Sequence, residues 1–348
     1  MSTKETATIT LYNISKCGLY KYNDSSKAHL GNTHIFFQQF MSWAKNPKRN
    51  LIDTCTYEVE DDELGERTFC YEIIENTSNN FLVITWNETK GLDGKLASIN
   101  GNVPVGQASI KTKKTGINEI LGYPSYFYIV PNENVIATIT FGTSKNGRLN
   151  FKCLVKEFIG KYTKFAVYEK NIQDQKNDLK GYKDKSIPNS ELLNLRAMFD
   201  FNIIRSTHQI DNLVANYDQI RQVVKHNKLS VADTVKQGWS SKLSLPIFDR
   251  QKPKIDGEVK FTFEYPYTPE NSKELKDFIS DWEKNYTGSM WDNVGFKLKG
   301  DSTTYWLNDM NARNKFDLSL NKNNENIIDA TSLLTELERL LPKLLSLR

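Results

Sequence analysis

Arg148, Lys152 and Lys156 recur at every fourth residue, and Phe151, Leu154, Val155, Phe158 and Ile159 recur at i, i+3, i+4, i+7 and i+8 through the same segment. One helix of about three turns satisfies both periods, with the apolar stripe inward and the basic stripe outward. Between Gln107 and Lys164 nine basic residues meet three acidic ones, so the stripe has few acidic neighbours along the chain. Like charges at this spacing repel until a partner neutralises them. The chemistry on offer is anion recognition, and nucleic-acid phosphate is the obvious partner. Lys145 stands beside the expected helix start, and Lys111, Lys113 and Lys114 lie in a preceding loop from which they can reach a phosphate backbone. Gly142, Thr143 and Ser144 turn into the helix and promise a cap and free N–H groups, which suit phosphate. The spacing of a Walker loop is absent.

Other chemistries find less support. Asp256-Gly257-Glu258-Val259-Lys260 places Glu-x-Lys on a strand, the pattern of a metal-dependent nuclease in which acids hold Mg2+ and the lysine orients water. That arrangement needs a further acid on a neighbouring strand, and an ordinary cross-strand charge pair explains the same residues. The acidic run Glu60-Asp61-Asp62-Glu63 lacks the spacing and glycine of an EF-hand loop and reads as a solvated turn. Cys17, Cys55, Cys70 and Cys153, and His29, His34, His208 and His226, are too scattered for a zinc pair. No G-x-S-x-G, H-E-x-x-H or Rossmann glycine pattern is present, so no cofactor and no catalytic residue is expected. Phe127, Tyr128, Tyr162 and Tyr168 near the basic segment could stack on bases, but aromatic residues in strands ordinarily pack a sheet.

The elements that must carry these residues follow from periodicity. Strands are predicted at 7–14, 68–74, 80–86, 126–130, 135–141, 161–170, 258–265, 293–299 and 303–307, the pair at 126–141 forming a hairpin. The strand at 258–265 alternates Val259, Phe261, Phe263 and Tyr265 with Glu258, Lys260, Thr262 and Glu264. Helices are predicted from Thr33 through Trp43, from Ser190, over 211–226 with Leu213, Tyr217, Ile220 and Val224 inward, and from Thr268-Pro269-Glu270 with Leu275, Phe278, Ile279 and Trp282 inward. A C-terminal helix carries Leu333, Leu337, Leu340 and Leu344, and Pro342 should kink or break it. Lys45, Lys48 and Arg49 complement a helix dipole, and Arg221, Lys225 and Lys228 form a second, weaker basic edge. Residues 91–114 read as a mobile loop and 171–189 as a linker.

At 348 residues the chain accommodates two domains. The expected fold class is α+β, with mixed or antiparallel sheets flanked by helices. The expected division is a discontinuous body, 1–170 with 256–348, and a mobile, mostly helical second domain at 171–255. The net charge of +4 is too small to announce a nucleic-acid binder by bulk, so the argument rests on distribution: residues 53–75 hold nine carboxylates and one arginine, leaving an acidic stretch and a basic one. The opening MSTKETATIT has no apolar core of a signal peptide, and no apolar run approaches a membrane span. A reduced, cytoplasmic protein is the reading.

The run Leu121-Gly122-Tyr123-Pro124-Ser125-Tyr126, then two strands, Phe141-Gly142-Thr143, the basic helix and Ile159-Gly160-Lys161 resembles the central segment of the RexA family of phage-exclusion proteins. In this reading Gly122 and Pro124 fix a turn that delivers Tyr126 to a strand. Weaker similarities continue at 260–263, at Val294-Gly295-Phe296-Lys297-Leu298-Lys299-Gly300-Asp301, and at 316–320 before the last helix. About forty residues match convincingly, and 20–75 and 165–255 do not. The resemblance implies a homodimeric, sequence-independent binder of double-stranded DNA in two domains, the second opening or closing the dimer on DNA. It also implies a role in abortive infection with a small, RexB-like membrane partner. The alternatives left open are a protein-interaction adaptor of a defence system and the nuclease.

Overall fold

The computed structural model describes residues 3–59, 66–89, 97–108, 110–111, 119–142, 147–170, 177–230, 258–285, 293–301, 303–324 and 327–348. The chain divides into two compact units, Met1–Ile204 with Ala312–Arg348, and Arg205–Asn311.

The first unit is built on β1 (Thr3–Tyr20), a strand of 18 residues. It is followed by α1 (Thr33–Ala44), β2 (Thr68–Glu75), β3 (Phe81–Glu88), β4 (Ala97–Asn100), β5 (Ile110–Lys111), β6 (Glu119–Val130), β7 (Val135–Phe141), α2 (Arg148–Lys161), β8 (Ala166–Lys170), β9 (Asn177–Tyr182) and β10 (Arg196–Ile203). The main sheet runs β10-β1-β7-β6-β3-β2, antiparallel throughout. Side chains alternate across a strand with period two, and the sheet uses both faces. Ala7, Ile9, Leu11, Tyr126, Tyr128, Leu82, Ile84 and Trp86 pack one core. Tyr12, Ile14, Phe127, Ile129, Phe81 and Val83 pack the other, together with Phe36, Phe37 and Phe40 of α1 and the apolar stripe of α2. Burial on both faces explains why β3 reads as an unbroken apolar run.

The second unit holds α3 (Thr207–Ala215), β11 (Ile220–Ser230), β12 (Glu258–Pro266), α4 (Ser272–Asn285), β13 (Val294–Leu298) and β14 (Thr304–Trp306). Its antiparallel sheet runs β12-β11-β13-β14. Leu213 and Val214 of α3 and Leu275, Ile279 and Trp282 of α4 cover Val223, Val294 and Phe296 on one face. The chain then returns to the first unit as β15 (Arg313–Leu320), β16 (Lys322–Asn324), β17 (Ile327–Ile328) and α5 (Ala330–Leu345). β15 pairs with positions 3–10 of β1, in line with β10, which pairs with positions 12–20. The leucines of α5 cover the face opposite α1 and α2, and Tyr128 donates to Glu338 Oε1 at 2.6 Å beneath it. The class is α+β, antiparallel sheets flanked by helices.

Several expectations are corrected. The inserted unit is Arg205–Asn311 rather than 171–255, and its described residues form a four-stranded sheet with two α-helices rather than a mostly helical domain. Residues 177–182 pair with β8 and 196–203 complete the main sheet, so the part of that region up to Ile204 extends the first unit instead. Residues 171–176 lie outside the described residues. No helix starts at Ser190; Leu193 bridges to Tyr182 there. The helix expected over 211–226 ends at Ala215, a short turn follows at Tyr217–Gln219, and β11 begins at Ile220; Val223 and Val224 are both buried, and such β-branched residues favour a strand. Arg221, Lys225 and Lys228 therefore lie on a strand. α4 begins at Ser272, after Asn271, whose side chain accepts from Glu274 N at 2.9 Å. α5 continues through Pro342, which falls in its last turn. Gly122 and Pro124 form no turn but lie within β6 opposite Glu88 and Trp86. Pro124 falls between the stretch of β6 that pairs with β4 and the stretch that pairs with β7, where no described strand needs its missing N–H.

Candidate nucleic-acid interface

α2 forms where the double periodicity places it. Phe151, Leu154, Val155, Phe158 and Ile159 are all buried. Phe151 stacks on Phe127 of β6 with ring centroids 3.9 Å apart and planes 9° from parallel, and Phe158 meets Phe40 of α1 at 5.0 Å. Fully burying a phenylalanine contributes about 1.5–3 kcal/mol, so the apolar stripe fixes the helix and dictates which flank remains for solvent. At the far end Gly160 lies close to β10: a Cβ there would stand 3.4 Å from Ala197 Cβ.

The helix start depends on Gly147. It takes φ 58°, and a Cβ would meet Ser125 Oγ at 2.6 Å and Asn87 Nδ2 at 3.0 Å. Those two atoms belong to a buried relay in which Thr68 donates to Asn87 Oδ1 at 2.9 Å and Asn87 Nδ2 donates to Ser125 Oγ at 2.9 Å. The N-cap of α2 thus rests on polar groups of β3 and β6, which Thr68 of β2 holds in turn. The N-cap is Gly147, without a side-chain cap, instead of a cap from Thr143 or Ser144. Those two residues and Lys145 lie outside the described residues, as do Lys113 and Lys114. Lys111 closes β5, which pairs with β4.

The three stripe residues occupy different environments. The Arg148 guanidinium stands 5.4 Å from the centroid of the Tyr12 ring, a cation–π contact that orients it along β1. Lys152 Nζ pairs with Asp200 Oδ1 of β10 at 2.5 Å. Lys156 is exposed and forms no ion pair among the described residues. Lys161 is held by Glu157 at 3.0 Å. The sequence expectation of few acidic neighbours holds along the chain but not in space. Asp200 is 48 positions from Lys152, and only the packing of α2 beside β10 brings it in.

The same packing adds cations that periodicity could not reveal. Lys16 of β1 stands opposite Asp200 in the strand register, near Tyr20, with Nζ 5.8 Å from that ring centroid and donating to Ser25 Oγ at 3.1 Å. Arg196, at the start of β10, stands 5.9 Å from the centroid of Tyr22. Of these cations Lys152 and Lys16 meet Asp200, through an ion pair and the strand register, while Arg148 and Arg196 rest on Tyr12 and Tyr22.

The four cysteines are held away from their reactive form. Burial pushes the Cys153 thiol up, against the lowering influence of Lys156 and Lys152. Burial raises Cys17 to about 12 and lifts Cys70 and Cys55 as well. Thiolates, the reactive form, are thus disfavoured at all four cysteines. Among the described residues no group of three or more His, Cys, Asp or Glu side chains is arranged to hold a metal ion. Asp256 and Gly257 of the Glu-x-Lys pattern lie outside the described residues. No helix among them is long and apolar enough to cross a membrane.

No family model, no curated protein and no solved structure matches the chain.

Proposed function

We propose that the protein is a non-catalytic, sequence-independent binder of double-stranded DNA that acts as a homodimer in phage exclusion in the cytoplasm. The observation that carries the DNA contact is α2 itself. Its apolar stripe from Phe151 to Ile159 is consumed by the core, and Arg148, Lys152 and Lys156 remain off that stripe, with Lys16 and Arg196 on the neighbouring strands β1 and β10. Arg148 and Lys156 are eight residues apart, roughly 12 Å of helix rise, enough to meet several phosphates of one strand. Contacts of this kind position a protein without reading bases. Lys145, Lys111, Lys113 and Lys114 supply further contacts in this reading. The phage-exclusion role and a small membrane partner of the RexB kind rest on the sequence resemblance alone.

The test is fluorescence anisotropy with a random duplex across a salt series, comparing wild type with Arg148→Glu/Lys152→Glu/Lys156→Glu, both checked for folding by circular dichroism. With Lys152 held by Asp200, two phosphates neutralised by Arg148 and Lys156 contribute a log–log salt slope of about −1.8, so a fourfold rise in salt weakens binding roughly 12-fold for one copy and far more for a dimer. The triple variant should lose most of that slope. A folded wild type that fails to bind at low salt refutes the reading.

A further inference from the structure

The aromatic row of β12 lies in the open. Phe263 is 53% exposed and Tyr265 42% exposed, whereas no other phenylalanine among the described residues is exposed to that degree. Phe261 packs edge-to-face on Phe263 at 4.8 Å, so the row is continuous. It shares a face with the core of the unit: Tyr265 stands opposite Val223, which stands opposite Phe296, and both of those are fully buried. The apolar face of the sheet therefore continues past the cover of α3 and α4 onto its outermost strand.

The backbone of that strand is also available. Among the described residues β12 pairs with β11 alone. The pairing is unbroken from Glu258 to Pro266, without the bulge or internal proline that usually guards a sheet edge. A regular edge bearing exposed aromatic side chains is a template for another strand.

We propose that this edge is a two-fold interface in which β12 pairs antiparallel with β12 of a second copy about Thr262, joining two four-stranded sheets into one of eight. The sequence of the strand is self-complementary in that register and in no neighbouring one. Pairing about Thr262 matches Lys260 with Glu264 in both directions, Phe261 with Phe263, and Val259 with Tyr265. A pivot at Phe261 sets Glu258 against Glu264, and pivots at Lys260 or Glu264 set like charges face to face, which destabilises a strand pair. A pivot at Phe263 leaves Lys260 and Glu264 without opposite charges. Pivots between residues place the aromatic face of one copy beside the polar face of the other. Glu264 already accepts from Lys297 Nζ at 2.8 Å, so its carboxylate is oriented on the polar face before any partner arrives. The inference names the surface behind the dimer in the reading above; it rests on that dimer and not on the DNA contacts.

The experiment is sedimentation equilibrium of the full chain without DNA, on wild type, Phe263→Glu and Thr262→Cys. Wild type should dimerise at micromolar concentration. Phe263→Glu should weaken self-association roughly tenfold or more with unchanged circular dichroism, because it replaces a side chain already in solvent. Thr262→Cys should cross-link under mild oxidation, which the four native cysteines should not, since facing residues of an antiparallel pair lie about 4.5–5.5 Å apart, within disulfide range. A monomeric wild type overturns the proposal. So does a dimer that Phe263→Glu leaves intact and Thr262→Cys does not cross-link. A monomer destabilised by Phe263→Glu assigns the row to a segment of the same chain, and also overturns it. Salt-dependent duplex binding by a monomer sinks the interface and spares the DNA reading; a dimer without duplex affinity does the reverse.

Discussion

Asp200 is the residue whose removal separates a DNA-binding flank from a merely solvated one. In the free protein its carboxylate holds Lys152 at 2.5 Å, and Lys152 must leave it to reach a phosphate. Both partners are partly exposed, 40% and 34%, so the pair is screened and contributes about 0.2–1 kcal/mol. Asp200→Asn keeps the shape, leaves the Ser15 bond to the Asp200 backbone oxygen in place, and should change folding stability by no more than about 1 kcal/mol. It also frees Lys152. Binding of duplex DNA should then strengthen, by up to about fivefold per copy for 1 kcal/mol, and the salt slope should steepen by about 0.9, one added counterion. Lys152→Ala gives the complementary arm. In wild type the lysine is already engaged, so its loss should weaken binding less than about twofold; in the Asp200→Asn background it should weaken binding by about fivefold. Anisotropy titrations on the four proteins at several salt concentrations complete the cycle. Unchanged affinity and slope in a folded Asp200→Asn protein would show that Lys152 never meets phosphate, and the flank would lose its central contact.

The packing beneath the flank makes three further claims. Phe151→Ala removes a ring stacked on Phe127 and should cost about 3–5 kcal/mol, read as a lowered denaturant midpoint; a loss under 1 kcal/mol would mean that α2 is not anchored by its apolar stripe. Gly147→Ala forces an ordinary residue into φ 58° and against Ser125, and should destabilise by roughly 1–2 kcal/mol while weakening DNA binding through the displaced start of α2; an unaffected melting curve would contradict the close approach. Burial raises the phenols of Tyr71 and Tyr182 to about 12 and lifts Tyr126 and Tyr128 further, Tyr128 also through Glu338. These groups are neutral when folded and ionise near 10 when unfolded, so the stability they contribute is intact below that pH and is lost as pH rises through the folded values. Each should contribute a slope of about 1.4 kcal/mol per pH unit in that window, and urea midpoints constant from pH 9 to pH 11 would refute it.

How far the sequence could be read follows from which interactions are local. α2, β7, β12 and the leucine stripe of α5 announce themselves because their burial patterns repeat within one element. Asp200, Lys16 and Arg196 carry no such signal: they reach α2 through strand pairing between distant segments, and one of them reverses the electrostatic argument for Lys152. The misread helix over 211–226 has the same origin. Apolar residues at 213, 217, 220 and 224 satisfy a helical spacing, while the segment from Ile220 becomes a strand through its pairing with the distant β12 and β13. The extent of the second unit is not legible along the chain because its neighbouring strands β11 and β12 pair across residues 231–257, and no local pattern announces such a pairing.

β12 presents the converse case. Its alternation of apolar and polar residues is the clearest strand pattern in the chain, and it correctly predicts a strand with one face to bury. In a single copy that face is left open at Phe263 and Tyr265, whereas the stripes of β1, β3 and β6 are packed into the two cores of the first unit. A two-fold pairing about Thr262 gives the stripe its cover without a new residue. Under the proposed function it also duplicates the basic flank of α2: two copies would double the phosphates neutralised, and with them the slope. Phe263→Glu should therefore lower the salt slope of DNA binding toward the single-copy value while leaving α2 untouched. A slope that stays at the wild-type value in a protein shown to be monomeric would break the link between the edge and the flank.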